Sequence, residues 1–334
     1  MSASRRIEVR GSGGPDVLHV VEGPIPIPGR GQVVIRVQAA GVAYGDVMRR
    51  RGVLAPPWAF TPGYDVVGRI ATVGRGVDPD RVGQCVGLLL PGIGFGGYAE
   101  HVRARATRLV PIPTGLDPVV AVALGLNYVT AWQILHRQLR LPPGASLLVH
   151  GAAGGVGTAL VELGRQAGLT LYGTASAPKH EQVRARGAEP IDYRAHDFVD
   201  VLRQRLPQGL DAVTDGIGGN HLLRSRQVLR RGGALVFFGV SGDVAGGMSQ
   251  VLRGGAALLR LALDPRLRLR LYGFMSSPAS LPWRCRQDWA RLLDLGASGE
   301  LAPAIGARIP LLQAAQAHDL VDRAAVVGKV VLTA

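Results

Sequence analysis

Along the first 113 residues the apolar positions come in short runs broken by glycine and proline: "RIEVRG", "DVLHVVEG", "GQVVIRVQAAG", "DVVGRIATVG", "GQCVGLLLPG" and "YAEHVRARATRLVPIP". Runs of that length between turn residues predict short strands of a mostly antiparallel, barrel-like domain, with the Pro-rich "PIPIPG" as an edge connector. From about residue 118 strand-length apolar runs alternate with helix-length segments, the pattern of a parallel sheet built from crossover units. A domain boundary is expected there, and the fold class is α/β with a β-rich domain beside a doubly wound one.

The sharpest local pattern is "ASLLVHGAAGGVGTALVELGRQAGLTLYGTAS". Ser146 to His150 read as a strand, and Gly151, Gly154 and Gly157 follow at intervals of three. The next segment puts Val156, Leu160, Leu163 and Ala167 on one helical face and stops at Gly168, before a second strand over 169–174. A glycine-rich turn between strand and helix lets the backbone approach a pyrophosphate, whose charge is favoured by the free amides and positive dipole end of the helix. The expected dinucleotide contacts here are Gly151, Ala153, Gly154, Gly155, Val156 and Gly157.

The end of the second strand decides between cofactors. A site for NAD usually places a carboxylate there for the ribose 2'-hydroxyl, whereas a 2'-phosphate calls for cations and hydroxyls. No Asp or Glu lies between Glu162 and Glu181; instead "TASAPKH" offers Ser176 and Lys179, and "DYR" offers Tyr193 and Arg194. NADPH is expected over NADH. Later runs at 210–219 and 232–242 predict further strands ending in glycines, and such ends face the ligand crevice of a doubly wound sheet; Gly216, Phe238, Gly239 and Val240 are the expected contacts. "LRLRLYGFM" reads as one more strand, an edge open to dimer pairing. The preceding "VLRGGAALLRLALDP" reads as an amphipathic helix, either a core helix or a wall beside an apolar substrate.

Composition narrows the classes. The chain has 334 residues, 47% hydrophobic, with a mean hydropathy of +0.19, enough for two cores. Its N-terminus holds no apolar stretch of secretory length, and no run approaches the ~20 residues of a membrane span. A cytoplasmic protein with no membrane span is expected. Cys85 and Cys285 are too few for a disulfide framework or a four-thiolate zinc site. The net charge of +14 raises the question of nucleic acid, but arginine is spread throughout, Lys179 and Lys329 are the two lysines, and no nucleic-acid-binding signature is present, so no nucleic-acid partner is expected. "HEQVR" lacks the second histidine of a zinc-protease helix, "GVSGD" lacks the last glycine of a nucleophile elbow, and there is no Walker loop.

Taken together, "GVAYGDVMRRRG", "FTPGYDVVG", "LNYVTAW", "GAAGGVG", "YGTASAPKH" and "VVGKVVL" make the chain resemble the medium-chain dehydrogenase/reductases, in particular the zinc-independent quinone oxidoreductases and the members similar to vesicle amine transport protein 1. The resemblance implies a GroES-like catalytic domain over 1–118 and 278–334, with a Rossmann NADP-binding domain over 119–277. Zinc members carry a catalytic cysteine and histidine where this chain has Ala43 and Tyr64, so no metal is expected. Without a Lewis acid a simple carbonyl is hard to reduce, whereas an acceptor activated by conjugation takes hydride at its β-carbon and leaves a delocalised enolate.

Tyr64, with Tyr44 and Asn127, is the candidate catalytic group. It either donates a hydrogen bond or proton to the enolate or fills the vacated volume. Asp46 and Asp65 are expected to orient neighbours, and Lys329 to contact the cofactor. The resulting expectation is a metal-independent NADPH oxidoreductase acting on an enone, polyene or quinone, including a biosynthetic enoyl reductase or reductive cyclase on a bulky lipophilic substrate, and working as a homodimer. The alternative is a non-catalytic NADPH-binding interaction protein.

Overall fold

The structure, a computed structural model, describes residues 3–90, 96–242, 247–274 and 277–334. Its strands in chain order are β1 (Ala3–Val9), β2 (Leu18–Pro24), β3 (Gln32–Val42), β4 (Asp65–Val73), β5 (Cys85–Leu89), β6 (His101–Arg105), β7 (Val110–Pro111), β8 (Ser146–Val149), β9 (Thr170–Ala175), β10 (Ala188–Asp192), β11 (Leu210–Asp215), β12 (Leu229–Phe237), β13 (Leu267–Leu271), β14 (Ile305–Pro310) and β15 (Lys329–Thr333). The α-helices are α1 (Tyr44–Arg50), α2 (Pro118–Ala123), α3 (Leu126–Trp132), α4 (Gly155–Gln166), α5 (His180–Ala185), α6 (Phe198–Arg205), α7 (His221–Gln227), α8 (Gly247–Ala262), α9 (Pro282–Ala297) and α10 (Ala314–Asp322). Gln133–Leu139 continues α3 as a π-helical turn. Residues 91–92, 275 and the side chains at 250–253, on which some of the expected runs end or begin, lie outside the described residues.

The chain divides into two compact units, Met1–Val129 with Pro282–Ala334, and Thr130–Leu281. In the first, β14-β15-β3-β4-β5-β7 form one sheet, with β6 paired to β3 and β1-β2 a separate ribbon. The pairs are antiparallel except β14 with β15. Its core is the inward face of these strands, Val33, Ile35, Val37, Val66, Ile70, Val86 and Leu88 among them, closed by Ala314 and Ala317 of α10. Burial alternates along β6, whereas β3, β4, β5 and β15 carry runs of consecutive buried residues, so these strands are covered on both faces over part of their length. Trp289 of α9 is buried over Gly87, where any Cβ would strike its ring, and its Nε1 donates to the Ala121 carbonyl at 3.2 Å.

The second unit holds a sheet in the order β10-β9-β8-β11-β12-β13, parallel throughout. Counted within the unit this is 3-2-1-4-5-6, the dinucleotide-binding order, whose direction reverses beside the first strand. Leu148, Val213 and Leu235 on the strands pack with Phe198, Val199, Leu202, Leu222 and Leu261 from the helices. In α8, Ala257 and Leu261 are buried, Leu261 on this core, while Leu259 of the helix and Leu263 just after it are exposed. Helix α4 ends as its sequence requires, with Gly168 at φ +71° turning the chain into β9.

Candidate active site

Tyr64 stands at the end of a Pro-Gly turn whose shape glycine alone permits. Gly63 has φ +106°, and a Cβ there would lie 2.7 Å from both the Gly97 backbone and the Tyr98 ring. The Gly63 amide donates to Asp46 Oδ1 at 2.8 Å, and the Ala43 amide donates to Asp46 Oδ2 at 2.9 Å. One buried carboxylate in the first turn of α1 therefore ties down both segments on which zinc members carry ligands. The Tyr98 hydroxyl donates to the same carboxylate at 3.2 Å. Burial pushes Asp46 up to about 6 although its two amide partners pull the other way.

The Tyr64 hydroxyl lies over Gly45 of α1, where a Cβ would come within 2.5 Å of it. Burial and the Asp46 charge push the phenol up to about 12, against the opposing charge and hydrogen bond of Arg49. A guanidinium has only donors, so Arg49 gives a hydrogen to the phenol oxygen and leaves the phenol's own hydrogen to be donated elsewhere. Tyr44, the first residue of α1, is half-buried with its phenol raised by burial, and it precedes Gly45, over which the Tyr64 hydroxyl lies. Asn127 is 6% exposed at the start of α3, where the preceding Leu126 amide donates to Asp65 Oδ2 at 3.0 Å. Asp65 and Asp46 thus hold backbone in place, as expected of them. Lys329, expected to contact the cofactor, is 2% exposed in the first unit with its Nζ 3.2 Å from Asp65 in an internal ion pair.

In the second unit Gly151 has φ +65°, its carbonyl accepts from the Gly154 amide at 2.8 Å, and a Cβ at Gly157 would collide with that carbonyl. The turn is therefore closed down against α4, leaving Gly154 exposed and Gly155 and Val156 partly so at the helix start, with Ala153 buried beneath. The first amides of a helix lack partners within it, so this is a cradle for an anionic group. Gly216, Phe238, Gly239 and Val240 follow β11 and β12. The Gly216 carbonyl accepts from Ser241, and a Cβ at Gly216 would touch the Phe238 ring at 2.8 Å.

Neighbouring β9 and β10 end together, with Ala175 in register with Asp192. Ser176 and Lys179 follow the first, Tyr193 and Arg194 the second. Burial and the charge of Arg194 lower the Lys179 ammonium, and the Arg194 guanidinium lies 5.8 Å over the Tyr193 ring. The structure so brings together two cations, a hydroxyl and a phenol with no carboxylate from β9, a set suited to a phosphate on a ribose. Sequence reasoning missed Arg49, which reaches Tyr64 across the fold, and His150, whose place next to Gly151 was its one signal.

Residues 29–114 match the family described as "Alcohol dehydrogenase GroES-like domain" and residues 187–332 that described as "Zinc-binding dehydrogenase". The human synaptic vesicle membrane protein VAT-1 homolog is 32% identical, the match covering 98% of this chain and 86% of that protein. The rat quinone oxidoreductase is 31% identical, covering 98% of this chain and 97% of that one. The chain belongs to the medium-chain dehydrogenase/reductases, in their quinone oxidoreductase group. The Escherichia coli quinone oxidoreductase, solved in complex with NADPH, has the same fold as this reductase at a TM-score of 0.84 and 26% identity, covering 99% of this chain and 100% of that one. The second family description names zinc, but the residues at positions 43 and 64 do not fit it as ligands. Ala43 has no ligand atom, and Tyr64 is a neutral phenol with a guanidinium on its oxygen. No helix among the described residues is long and apolar enough to cross a membrane.

Proposed function

We propose that this reductase binds NADPH and reduces a conjugated double bond or quinone without a metal. The observation that carries the reading is the replacement of two metal-ligand positions by Ala43 and a neutral, Arg49-backed Tyr64, beside a carboxylate that pins the surrounding backbone. The glycine turn fits a pyrophosphate, and Ser176, Lys179, Tyr193 and Arg194 fit a 2'-phosphate. NADPH supplies the hydride. Tyr64 donates its hydrogen bond to the acceptor oxygen as negative charge develops there, and its position is held by Asp46 through Gly63 and by contact with Gly45. Because nothing stabilises an alkoxide as a Lewis acid would, addition at the β-carbon of an enone is favoured over addition at the carbonyl carbon. Solvent water then delivers the α-proton, while Tyr64 keeps its own. The exposed Leu259 on α8 and Leu263 just after it support a bulky lipophilic acceptor, and the exposed edge of β13 supports pairing with a second copy.

The deciding experiment follows deuterium from C4 of the reduced cofactor. It should appear at the β-carbon of an enone product, with solvent deuterium at the α-carbon; label on an allylic alcohol carbon would overturn the proposal. Metal analysis should find no stoichiometric zinc, and chelators should leave turnover unchanged. A second reading, NADPH binding without catalysis, is supported by the likeness to the VAT-1 homolog, whose name describes a vesicle membrane protein. It predicts tight binding and no oxidation of NADPH across a panel of enones and quinones.

A further inference from the structure

The second unit contains a buried polar cluster outside the set of residues expected to touch the cofactor. His150, at the end of β8, is 4% exposed; Thr174 of β9 is 3% exposed; Asp215, at the end of β11, and Ser225 of α7 are fully buried. Ser225 Oγ donates to Asp215 Oδ2 at 2.7 Å, and His150 Nε2 lies 3.1 Å from Ser225 Oγ. The other side of the same imidazole, Nδ1, lies 3.1 Å from Thr174 Oγ1, which accepts from the Gly151 amide at 3.1 Å. The His221 ring, packed across His150 at 4.4 Å, gives Nδ1–H to Asp215 Oδ2 at 2.8 Å. Asp215 Oδ1 accepts from the amides of Ile217 and Gly218 at 2.8 and 3.0 Å.

These contacts fix a direction. The hydrogen of Ser225 is committed to the carboxylate, so its oxygen can only accept from His150, which must carry its proton on Nε2. The bare Nδ1 then accepts from the Thr174 hydroxyl, whose oxygen accepts from Gly151. The opposite neutral tautomer would set two lone pairs against each other between His150 and Ser225. Burial holds His150 down to about 3, so the imidazole stays neutral.

The chain of donors runs one way, from the Gly151 amide to the Asp215 carboxylate. Its two ends are the turn after β8, which carries the glycine cradle, and the turn after β11, which carries Gly216. His150, Asp215 and His221 offer atoms within 4.8 Å of one another and have the chemistry of a cation site. Both carboxylate oxygens already accept two hydrogens each and both His150 nitrogens are engaged, so neither residue has a ligand atom left for a metal, and the one remaining histidine, His221, does not make a cation site by itself.

We propose that His150 is a positioning residue, the centre of a one-directional hydrogen-bond chain through which Asp215 and His221 set the conformation of Gly151 and so the shape of the nucleotide cradle. The inference rests on the reading of that turn as the NADPH site. Two measurements on the cofactor-free protein test it apart from that reading. The imidazole 15N signals should show His150 as the neutral Nε2–H tautomer through pH 5, and Gly151 amide exchange should speed up about tenfold or more in Ser225→Ala, the loss of a buried hydrogen bond being worth roughly that factor.

Titration with NADPH supplies the third measurement. His150→Phe and Ser225→Ala should weaken binding about tenfold, whereas His150→Gln, which keeps an acceptor and a donor on one planar group, should stay within about threefold of the parent. Should His150→Phe fail to fold, the tautomer, Ser225→Ala and His150→Gln still decide. An Nδ1–H or charged His150, a Ser225→Ala protein with parental Gly151 exchange and NADPH affinity, His150→Gln binding as poorly as the phenylalanine variant, or a stoichiometric metal on His150 would each overturn the proposal. If the parent protein binds no NADPH while the tautomer and exchange results hold, the cofactor reading fails and the hydrogen-bond chain stands.

Discussion

At Tyr64 the environment works against acidity and for hydrogen bonding. A phenol raised to about 12 by burial and by Asp46 stays protonated throughout the range in which an enzyme is assayed, so it assists by donating a hydrogen bond rather than by titrating. Tyr64→Phe should lower turnover about ten- to a thousandfold with NADPH affinity nearly intact, the span between weak hydrogen-bond help and a full donor role. The pH–rate profile of the parent should show no step near 10 that the variant lacks; such a step would mean the phenol ionises near its ordinary value. At Lys179 the ammonium is half-buried beside Arg194 and partly screened by water. Lys179→Ala should therefore cut the preference for NADPH over NADH by roughly tenfold, toward the lower end of what a charge-assisted contact contributes, and equal cofactor affinities in the parent would sink the assignment. Both residues were legible because each sits next to a motif, a Pro-Gly turn or the end of a predicted strand. Arg49 was not, since no periodicity links a residue at the end of α1 to a tyrosine 15 positions later; packing alone does.

Elements with strong periodicity could be read in advance, and those set by long-range pairing could not. Helix α4 and strands β8 and β9 fall within a residue or two of expectation because the glycine spacing and the apolar stripe both mark them. Strands β14 and β15 run parallel to each other and reach the sheet through β15 on β3, a partnership with no sequence signature near either strand. The π-helical stretch at Gln133–Leu139 likewise follows an ordinary helical pattern in sequence. Two glycine substitutions test how elements set the site. In α1, Gly45→Ala improves helix propensity by about 0.5–1 kcal/mol, yet its methyl meets the Tyr64 hydroxyl at 2.5 Å. The variant should keep or gain thermal stability while losing turnover; unchanged turnover would show that the phenol position is not critical. In α4, a Cβ at Gly157 strikes the Gly151 carbonyl and lies 2.8 Å from Ala152 Cα, backbone that cannot swing aside as a side chain does. Gly157→Ala should lower NADPH affinity by more than about tenfold, measured by fluorescence titration, by pushing the turn off its helix.

Across the whole molecule the two units respond differently to acid, because burial has shifted different groups in each. In the second unit His150 is held down to about 3, so the unfolded chain takes up a proton below about 6.5 that the folded unit refuses. Its contribution is complete above 6.5 and is lost progressively as pH falls toward 3, at about 1.4 kcal/mol per pH unit. In the first unit His318, also held down to about 3 and fully buried, acts in the same direction, with a smaller contribution from His101, lowered mainly by its own partial burial. Asp46 opposes them. Its carboxyl, pushed up to about 6, is easier to keep protonated in the folded unit, so its contribution is greatest below about 4 and fades as pH rises through 6. Between pH 6 and 4 the first unit thus gains from Asp46 roughly what it loses at His318, while the second unit has no such offset at His150. Rising positive charge, starting from +14, adds a repulsion common to both that salt screens. Amide exchange followed unit by unit at pH 7, 6, 5 and 4 in moderate salt should show protection falling first in Thr130–Leu281, by about 1.4 kcal/mol or more per pH unit, and the fall should be gentler in Met1–Val129 with Pro282–Ala334. Asp46→Asn removes the offset and should make the first unit as acid-sensitive as the second. If the two units instead lose protection together in the parent, or if Asp46→Asn leaves the first unit's acid response unchanged, burial has not raised Asp46 to where it takes up its proton near pH 6, and the account of the carboxylate beneath Ala43 and Tyr64 fails with it.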